Sequence, residues 1–350
     1  MKVLKQLFLF IFSFLCVLAL AEIYIKNAKI SEVSFAEYYD DIGKGLAPPD
    51  TYVFFNEGFG IRPTNASRFI GADVNLKKEE NTIRIALIGD SYIEALHVFE
   101  RHYFGNIAQN ILNKKFSQKN IKIEILNFGR SSFNIGNMYA YQRLLIDKFN
   151  PDYTLYFLSQ SDLICDYSFP PLLPITTLEN NTLKTSVNFN KEDFNIYQKT
   201  KYLTQNFVFF NILNFCREKI KYNETLPIII GKFYSNTANV DESIKSNVQE
   251  FYEIDSITRE IVNSMDSRTI IINRGNYKLP IEFKNLCLDN NLPYIELSPT
   301  FEVLKNSGII FDKWNATNKF GHWQHSTHKA IGVEIANEMS NIIQKQLNQH

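Results

Sequence analysis

The sequence is poor in cysteine, and its few cysteines exclude two common frameworks. Only four occur in 350 residues. Three of them lie outside the N-terminal segment, namely Cys165, Cys216 and Cys287. An odd number of cysteines at wide spacing fits neither a disulfide-rich fold nor a zinc site. One disulfide is compatible with this spacing, but isolated buried thiols are the simpler interpretation.

The chain also lacks net charge, because 37 basic residues balance 37 acidic ones. Neither the whole chain nor any local basic run has the charge that nucleic-acid binding requires, so we predict no nucleic-acid partner. Apolar residues make up 45% of the chain, enough for a full core. At this length, one elaborated domain with an N-terminal segment fits as well as two domains.

The N-terminal segment, residues 1–26, has the pattern of a targeting signal. Two lysines precede an uncharged apolar run that ends at Ala21. The run fits a signal peptide cleaved after Ala21, or an anchor from Val3 to Ile25. We expect the anchor, because apolar residues continue past Glu22. The lysines then keep the N-terminus in the cytosol and the rest on the periplasmic side of the membrane, whereas cleavage would give a secreted protein.

Residues 83–91, IRIALIGDS, join a strand to a polar turn. The β-branched apolar run is typical of a strand covered on both faces. Gly89 allows a sharp turn, and Ser91 then stands at the start of a helix, in the crevice where open α/β sheets bind ligands. Free N–H groups at that helix start favour a developing negative charge. The triplet alone is equally compatible with a plain turn in which Ser91 caps the helix.

Gly89-Asp90-Ser91, together with the motifs described next, resembles the nucleophile motif of the SGNH/GDSL hydrolases. The resemblance implies an α/β fold of flavodoxin-like type, a three-layer sandwich with a central parallel sheet. It also implies that Ser91 is the nucleophile, supported by Asp90, and that the Ser91 N–H belongs to the oxyanion hole. Strands alternating with helices after Ser91 agree with parallel pairing.

Hydrophobic spacing also predicts individual elements after Ser91. It predicts a helix from Ile135 to Phe149, a strand from Tyr153 to Leu158, and a helix from Asp241 to Met265 that Asp241 caps.

Two further strand ends match the family's oxyanion-hole positions. Gly129, after the second strand, matches the glycine that donates its backbone N–H. The family's Gly-x-Asn-Asp aligns with residues 159–162, SQSD, so Asp162 is kept while Ser161 replaces the amide donor. A serine hydroxyl donates one hydrogen bond but is shorter than an amide.

The segment from Gly321 to Asn337 resembles the family's last motif, in which a catalytic histidine precedes a helix. His322 then becomes the general base, and His328 a helix residue without a catalytic role. The family's aspartate before this histidine is missing, since Lys319 and Phe320 stand there. The third member of the triad is therefore not identified. A distant acid or a backbone carbonyl orients His322, or the site is weakened.

A metal site is the alternative for this histidine-rich segment. His322, His325 and His328 could share one side of a helix, but no carboxylate nearby completes a zinc signature. We predict no metal and no other cofactor.

We divide the chain into the N-terminal segment, a lead-in at 27–81 that packs on the domain, and a hydrolase domain at 82–350 with an insertion at about 164–265. Within the lead-in, the stretch from Asn56 to Arg62, NEGFGIR, resembles a segment common before the nucleophile in tethered family members, with no role assigned to it. The insertion is either a lid or a packing elaboration.

The resulting hypothesis is a serine esterase that acts on acyl esters, such as acetyl esters, of a cell-envelope or secreted carbohydrate. The predicted substrate class depends on the expected localisation and on the substrates typical of the family that the sequence resembles. The alternative is an accessory or binding protein on a weakened hydrolase scaffold. The oligomeric state is not predicted.

Overall fold

The computed structural model describes residues 2–28, 36–47, 51–54, 57–167, 172–207, 209–210, 212–213, 216–217, 254–315 and 317–348. They belong to two compact units, residues 1–34 with 195–251, and residues 35–194 with 252–350. The described helices and strands, in chain order, are α1 (Lys2–Asn27), β1 (Ala36–Tyr39), β2 (Gly43–Leu46), β3 (Thr51–Phe54), β4 (Gly60–Pro63), β5 (Thr82–Ile88), α2 (Ser91–Glu94), α3 (Phe104–Phe116), β6 (Lys122–Asn127), α4 (Ile135–Leu144), β7 (Tyr153–Leu158), β8 (Ile175–Glu179), β9 (Thr182–Ser186), α5 (Lys191–Asn206), α6 (Ser256–Ser264), β10 (Thr269–Asn273), α7 (Ile281–Asp289), β11 (Tyr294–Glu296), α8 (Ser298–Asn306), β12 (Lys313–Trp314), β13 (Lys319–Phe320) and α9 (His325–Leu347).

Helix α1, in the first unit, carries the predicted N-terminal signal. Its stretch Lys2–Ile25 is long and apolar enough to cross a membrane, and its large apolar side chains are exposed. A cleaved signal sequence has the same properties, so both interpretations of this helix stay open.

A five-stranded parallel sheet forms the centre of the second unit, in the order β11-β10-β7-β5-β6. Numbered by position along the chain, the order is 2-1-3-4-5, which is one of the common orders of doubly wound sheets. Successive residues of β5 face opposite layers. Leu87 belongs to the buried cluster that includes Phe104 of α3 and Ile331 of α9, whereas Ile88 belongs to the cluster that includes Met138 of α4. The fold is thus α/β, with helices on both faces of the sheet.

The helix that the sequence predicts from Ile135 to Phe149 is shorter in the structure. Helix α4 ends at Leu144, and a 3₁₀ turn follows at Ile146–Phe149. The next residue, Asn150, has φ of 47°, and Pro151 cannot continue a helix. The predicted helix start at Asp241 lies outside the described residues, and Asp255 caps α6 instead, through its bond from the Thr258 N–H.

The hairpin of β8 and β9, which belongs to the insertion, packs on α4. Thr176 in β8 donates from Oγ1 to the Gly136 carbonyl at 2.7 Å, and Asn137 donates to the Pro174 carbonyl at 2.8 Å. All four cysteines are free. Cys287 is buried as predicted, but Cys216 is exposed, so the prediction of buried thiols is wrong for that residue.

Candidate active site

The turn after β5 presents Ser91 at the start of α2. Asp90 caps this helix, because its Oδ1 accepts the Tyr92 N–H at 3.0 Å. Asp90, and not Ser91, is therefore the cap of α2, so the prediction that Ser91 caps the helix is wrong. Its N–H belongs to the first helical turn, where no carbonyl of the same helix can reach it. The turn thus combines an N–H without an acceptor in its own helix and an Oγ that faces His322.

His322 reaches Ser91 from the loop between β13 and α9. Its Nε2 lies 2.8 Å from Ser91 Oγ, although 231 positions separate the two residues. Aromatic side chains hold the loop, since Trp314 Nε1 donates to the His322 carbonyl at 2.9 Å and the Tyr92 hydroxyl donates to the Gly321 carbonyl at 3.3 Å. These two bonds fix the backbone on either side of the imidazole and so hold its ring within hydrogen-bond distance of the Ser91 hydroxyl.

Glu57, from the lead-in, contacts the other ring nitrogen of His322. Its Oε1 is hydrogen-bonded to His322 Nδ1 and also lies 3.4 Å from the His322 backbone N. The carboxylate is 5% exposed, against 25% for the imidazole. Burial alone would raise the pKa of Glu57, but the hydrogen bonds and charge of His322 outweigh it and leave this pKa below its ordinary value.

Glycines let the lead-in bring Glu57 this close. A Cβ on Gly60 would overlap the Leu96 carbonyl oxygen, and one on Gly58 would lie 2.5 Å from the Trp314 ring. Beyond them, the buried Arg62 lies 3.3 Å from Glu100. The stretch noted from sequence as typical of tethered family members, of which residues 57–62 are described, therefore packs against the loop that follows α2.

Gly129 stands beside α2, as its predicted position requires, but its N–H already has an acceptor. It donates to Asn127 Oδ1 at 2.9 Å. A Cβ at Gly129 would overlap the Glu94 nitrogen. The glycine is thus required for close packing, and it could donate to an oxyanion only if the bond to Asn127 opened.

A buried ion cluster links the turn after β5 to the turn after β7. Arg274, which follows β10, pairs with Asp90 and lies 3.4 Å from Asp162 Oδ2. Its guanidinium also covers the Tyr92 ring at 4.4 Å. Burial raises the pKa of Asp90 to about 6, and the Arg274 charge opposes that rise. Asp90, the residue before Ser91, and Asp162 are therefore joined through Arg274, a cation that the sequence did not predict.

The histidines of the last motif do not gather around one point. His328 is buried against His97, with their Nε2 atoms 3.3 Å apart, whereas the His325 ring lies 4.5 Å from His102. His322 precedes α9, so the three do not share one side of this helix.

A different group, Glu57, His97 and His322, brings possible metal ligand atoms within 4.8 Å of one another among the described residues. The rings of His97 and His322 are stacked, with centroids 4.7 Å apart and planes at 24°. Nitrogen lone pairs lie in the ring planes, so stacked imidazoles do not aim both at one ion. Burial, together with His328, lowers the pKa of His97 well below its ordinary value and keeps it neutral. The geometry thus suits a hydrogen-bonded Glu57–His322–Ser91 chain better than a cation.

Comparisons with known proteins give only distant similarities. No family model and no curated protein matches the chain. It is similar to a psychrotrophic esterase, EstA, from a Pseudoalteromonas species, with 14% identity, a TM-score of 0.35 and coverage of 77% of this chain and 100% of the other. An α/β hydrolase enzyme from the Lake Arreo metagenome has 10% identity and a TM-score of 0.34, over 73% and 95% of the two chains. A gut microbial diltiazem-metabolizing enzyme has 12% identity and a TM-score of 0.30, over 73% and 46%. Similarities at this level carry no argument about function.

Proposed function

We propose that the chain is a serine esterase of the SGNH type, with Ser91 as nucleophile, His322 as general base and Glu57 as the acid that orients it. One observation carries the proposal, the continuous hydrogen-bonded chain from Glu57 through His322 to Ser91 Oγ. A nucleophile, a base and an orienting group within hydrogen-bond reach are the signature of an activated hydroxyl. The 2-1-3-4-5 strand order supports a flavodoxin-like fold for this site.

The proposed proton transfers follow the order of the contacts. Ser91 Oγ attacks the ester carbonyl and gives its proton to His322 Nε2, while Glu57 stabilises the imidazolium that forms. The tetrahedral intermediate expels the alcohol, which takes that proton, and leaves the acyl group on Ser91. Attack by water then frees the acid, whereas attack by another alcohol transfers the acyl group. The Ser91 N–H is the first oxyanion donor of this site.

The proposed substrate is an acyl ester, such as an acetyl ester, of a cell-envelope or secreted carbohydrate. This part rests on the family resemblance and on α1, which would anchor the protein with its active site on the periplasmic side. The anchor predicts that the mature protein keeps residues 1–21. An N-terminus at Glu22, found by Edman degradation or mass spectrometry, would instead show a cleaved and secreted form.

A second candidate is an accessory or binding protein on a hydrolase scaffold that has lost activity. Two observations favour it, the engaged Gly129 N–H and the serine in place of an amide at position 161. A fluorophosphonate probe separates the two candidates, because it reacts only with an activated serine.

We expect the full chain, in detergent, to be labelled by the probe at Ser91. Peptide mass spectrometry should locate the adduct there, and neither Ser91→Ala nor His322→Ala should be labelled. The exposed Ser117, at the end of α3, serves as the matched control, and Ser117→Ala should react like the wild type. A wild-type chain that stays unlabelled would support the accessory protein.

A further inference from the structure

Two neighbouring serine hydroxyls follow β7, and the first of them, Ser159, contacts the buried Arg274. Ser159 Oγ lies 3.0 Å from Ser161 Oγ, and Arg274 Nη2 donates to Ser159 Oγ at 3.1 Å. The same guanidinium pairs with Asp90, the residue before Ser91. The contacts therefore run from Asp90 through Arg274 and Ser159 to Ser161, the residue that replaces the family's amide.

The hydroxyl hydrogens in this line have two arrangements. Ser159 Oγ lies 2.8 Å from Asp162 Oδ2 and can donate either to it or to Ser161. In both arrangements Asp162 Oδ2 accepts hydrogen bonds from the Ser159 N–H at 2.7 Å and from Arg274 Nη2 at 3.4 Å. Each serine has a single hydrogen to donate. When Ser159 donates to Ser161, the hydrogen of Ser161 points to Asp162 Oδ1, 3.4 Å away. This contact is long, so an oxyanion within reach would replace Asp162 as the acceptor.

We propose that Arg274, Ser159 and Ser161 form a relay that replaces the missing amide of the oxyanion hole, an inference that rests on the proposed esterase function. Arg274 donates to Ser159, Ser159 to Ser161, and Ser161 to the oxyanion. A charged donor at the head of such a chain strengthens each following bond. Ser161 touches the reacting oxygen, whereas Ser159 and Arg274 are positioning residues.

Arg274 has a second effect in this arrangement. Asp90 and Asp162 are both buried next to the nucleophile's turn, and their negative charges would repel an oxyanion. The guanidinium between them offsets this repulsion. Without Arg274, the two carboxylates would destabilise an oxyanion near this turn. With Arg274, the same region supplies a hydrogen-bond donor to it.

The rate of Ser91 phosphonylation by a fluorophosphonate tests the relay without knowledge of the natural substrate. In this step the Ser91 Oγ–P bond forms, the P–F bond breaks, fluoride leaves, and the serine proton moves to His322. We expect Ser161→Ala in the full chain to lower the second-order rate constant by about 100-fold. Ser159→Ala should lower it by roughly tenfold, and the double variant should be no slower than Ser161→Ala alone.

A rescue variant distinguishes the relay from a structural role of Ser159. Ser161→Asn restores the family's amide donor and should label at a rate close to that of the wild type. In that background, Ser159→Ala should change the rate by less than about threefold, since an amide no longer needs its neighbour. Gln160→Ala is the matched control on the same turn, because its side chain donates away from the relay, to the Lys278 carbonyl at 2.8 Å.

The outcomes separate the relay from the esterase proposal. Wild-type labelling at Ser91 with additive effects of the two alanine variants, or with no effect of Ser161→Ala, would overturn the relay and leave the esterase proposal standing. A loss of rate in Ser159→Ala that persists in the Ser161→Asn background would also overturn it. No labelling of Ser91 in the wild type would overturn both.

Discussion

Ser91→Ala is expected to lower kcat for a chromogenic acetate ester by a factor on the order of 10⁶, the scale seen when a triad nucleophile is removed. The variant keeps Asp90 as the cap of α2, so the turn itself should stay folded. Only the Oγ that faces His322 Nε2 is lost. Turnover by the full chain in detergent, followed by release of the chromophore, measures the effect.

Two controls make this result specific to the nucleophile. Ser117→Ala removes an exposed hydroxyl that bonds only to the Lys114 carbonyl among described contacts, and should leave kcat unchanged. The melting temperature of Ser91→Ala should match that of the wild type within a few degrees. Equal turnover by the wild type and Ser91→Ala would show that the hydroxyl does not carry the reaction.

Glu57→Gln is expected to lower kcat by a factor on the order of 10⁴, because an amide at this place favours the wrong tautomer of the base and cannot stabilise the imidazolium. The side chain keeps its size, so the packing around Gly58 and Gly60 is preserved. The exposed Glu79, which pairs with Lys122, provides the matched control, and Glu79→Gln should retain full activity. A Glu57→Gln enzyme with more than a tenth of wild-type kcat would mean that another group orients His322.

The pH dependence of stability provides a second measurement on Glu57. The pKa of Glu57 is lower in the folded chain than its ordinary value of 4.5. The ionised carboxylate therefore stabilises the fold at a pH above 4.5. This stabilisation is lost as the pH falls through the lowered pKa of the folded chain. Losing a hydrogen bond to a charged group costs about 1.5–3 kcal/mol. The difference in unfolding free energy between wild type and Glu57→Gln should therefore be largest at neutral pH and shrink on acidification. A difference that is independent of pH would contradict an ionised Glu57.

The sequence was informative where the signal is local. A continuous apolar run predicts β7 from Tyr153 to Leu158, and the structure has the same bounds. The strand and turn before Ser91 also place that hydroxyl correctly, because a strand end and a helix start are neighbours in the chain. Strands alternating with helices predicted the parallel sheet for the same reason.

The rest of the site depends on contacts that have no local signal. Glu57 lies 265 positions from His322, and its approach depends on two glycines that fit between side chains and carbonyls of other segments. The resemblance implies an orienting acid just before the histidine, whereas the carboxylate in contact with His322 comes from the lead-in. The local signal for this carboxylate is the lead-in motif, residues 56–62, which contains Glu57.

Arg274 illustrates the same limit for charged groups. It pairs with Asp90 across 184 positions, and a single arginine after a strand has no pattern that distinguishes it from an exposed one. A buried pair of carboxylates requires a cation, but sequence alone did not show that Asp90 and Asp162 are both buried. Once the sheet order is known, all three strand ends meet at one edge and the cation becomes predictable.

Trapping the acyl-enzyme tests the central claim most directly. The full chain is mixed with an acetate ester, quenched in acid during the first turnovers, digested and analysed by mass spectrometry. We predict an acetyl group on the peptide that contains Ser91, absent from Ser91→Ala and strongly reduced in Glu57→Gln. Ester cleavage without acetylated Ser91, or a wild-type chain that never carries the acetyl group, would contradict the proposed triad.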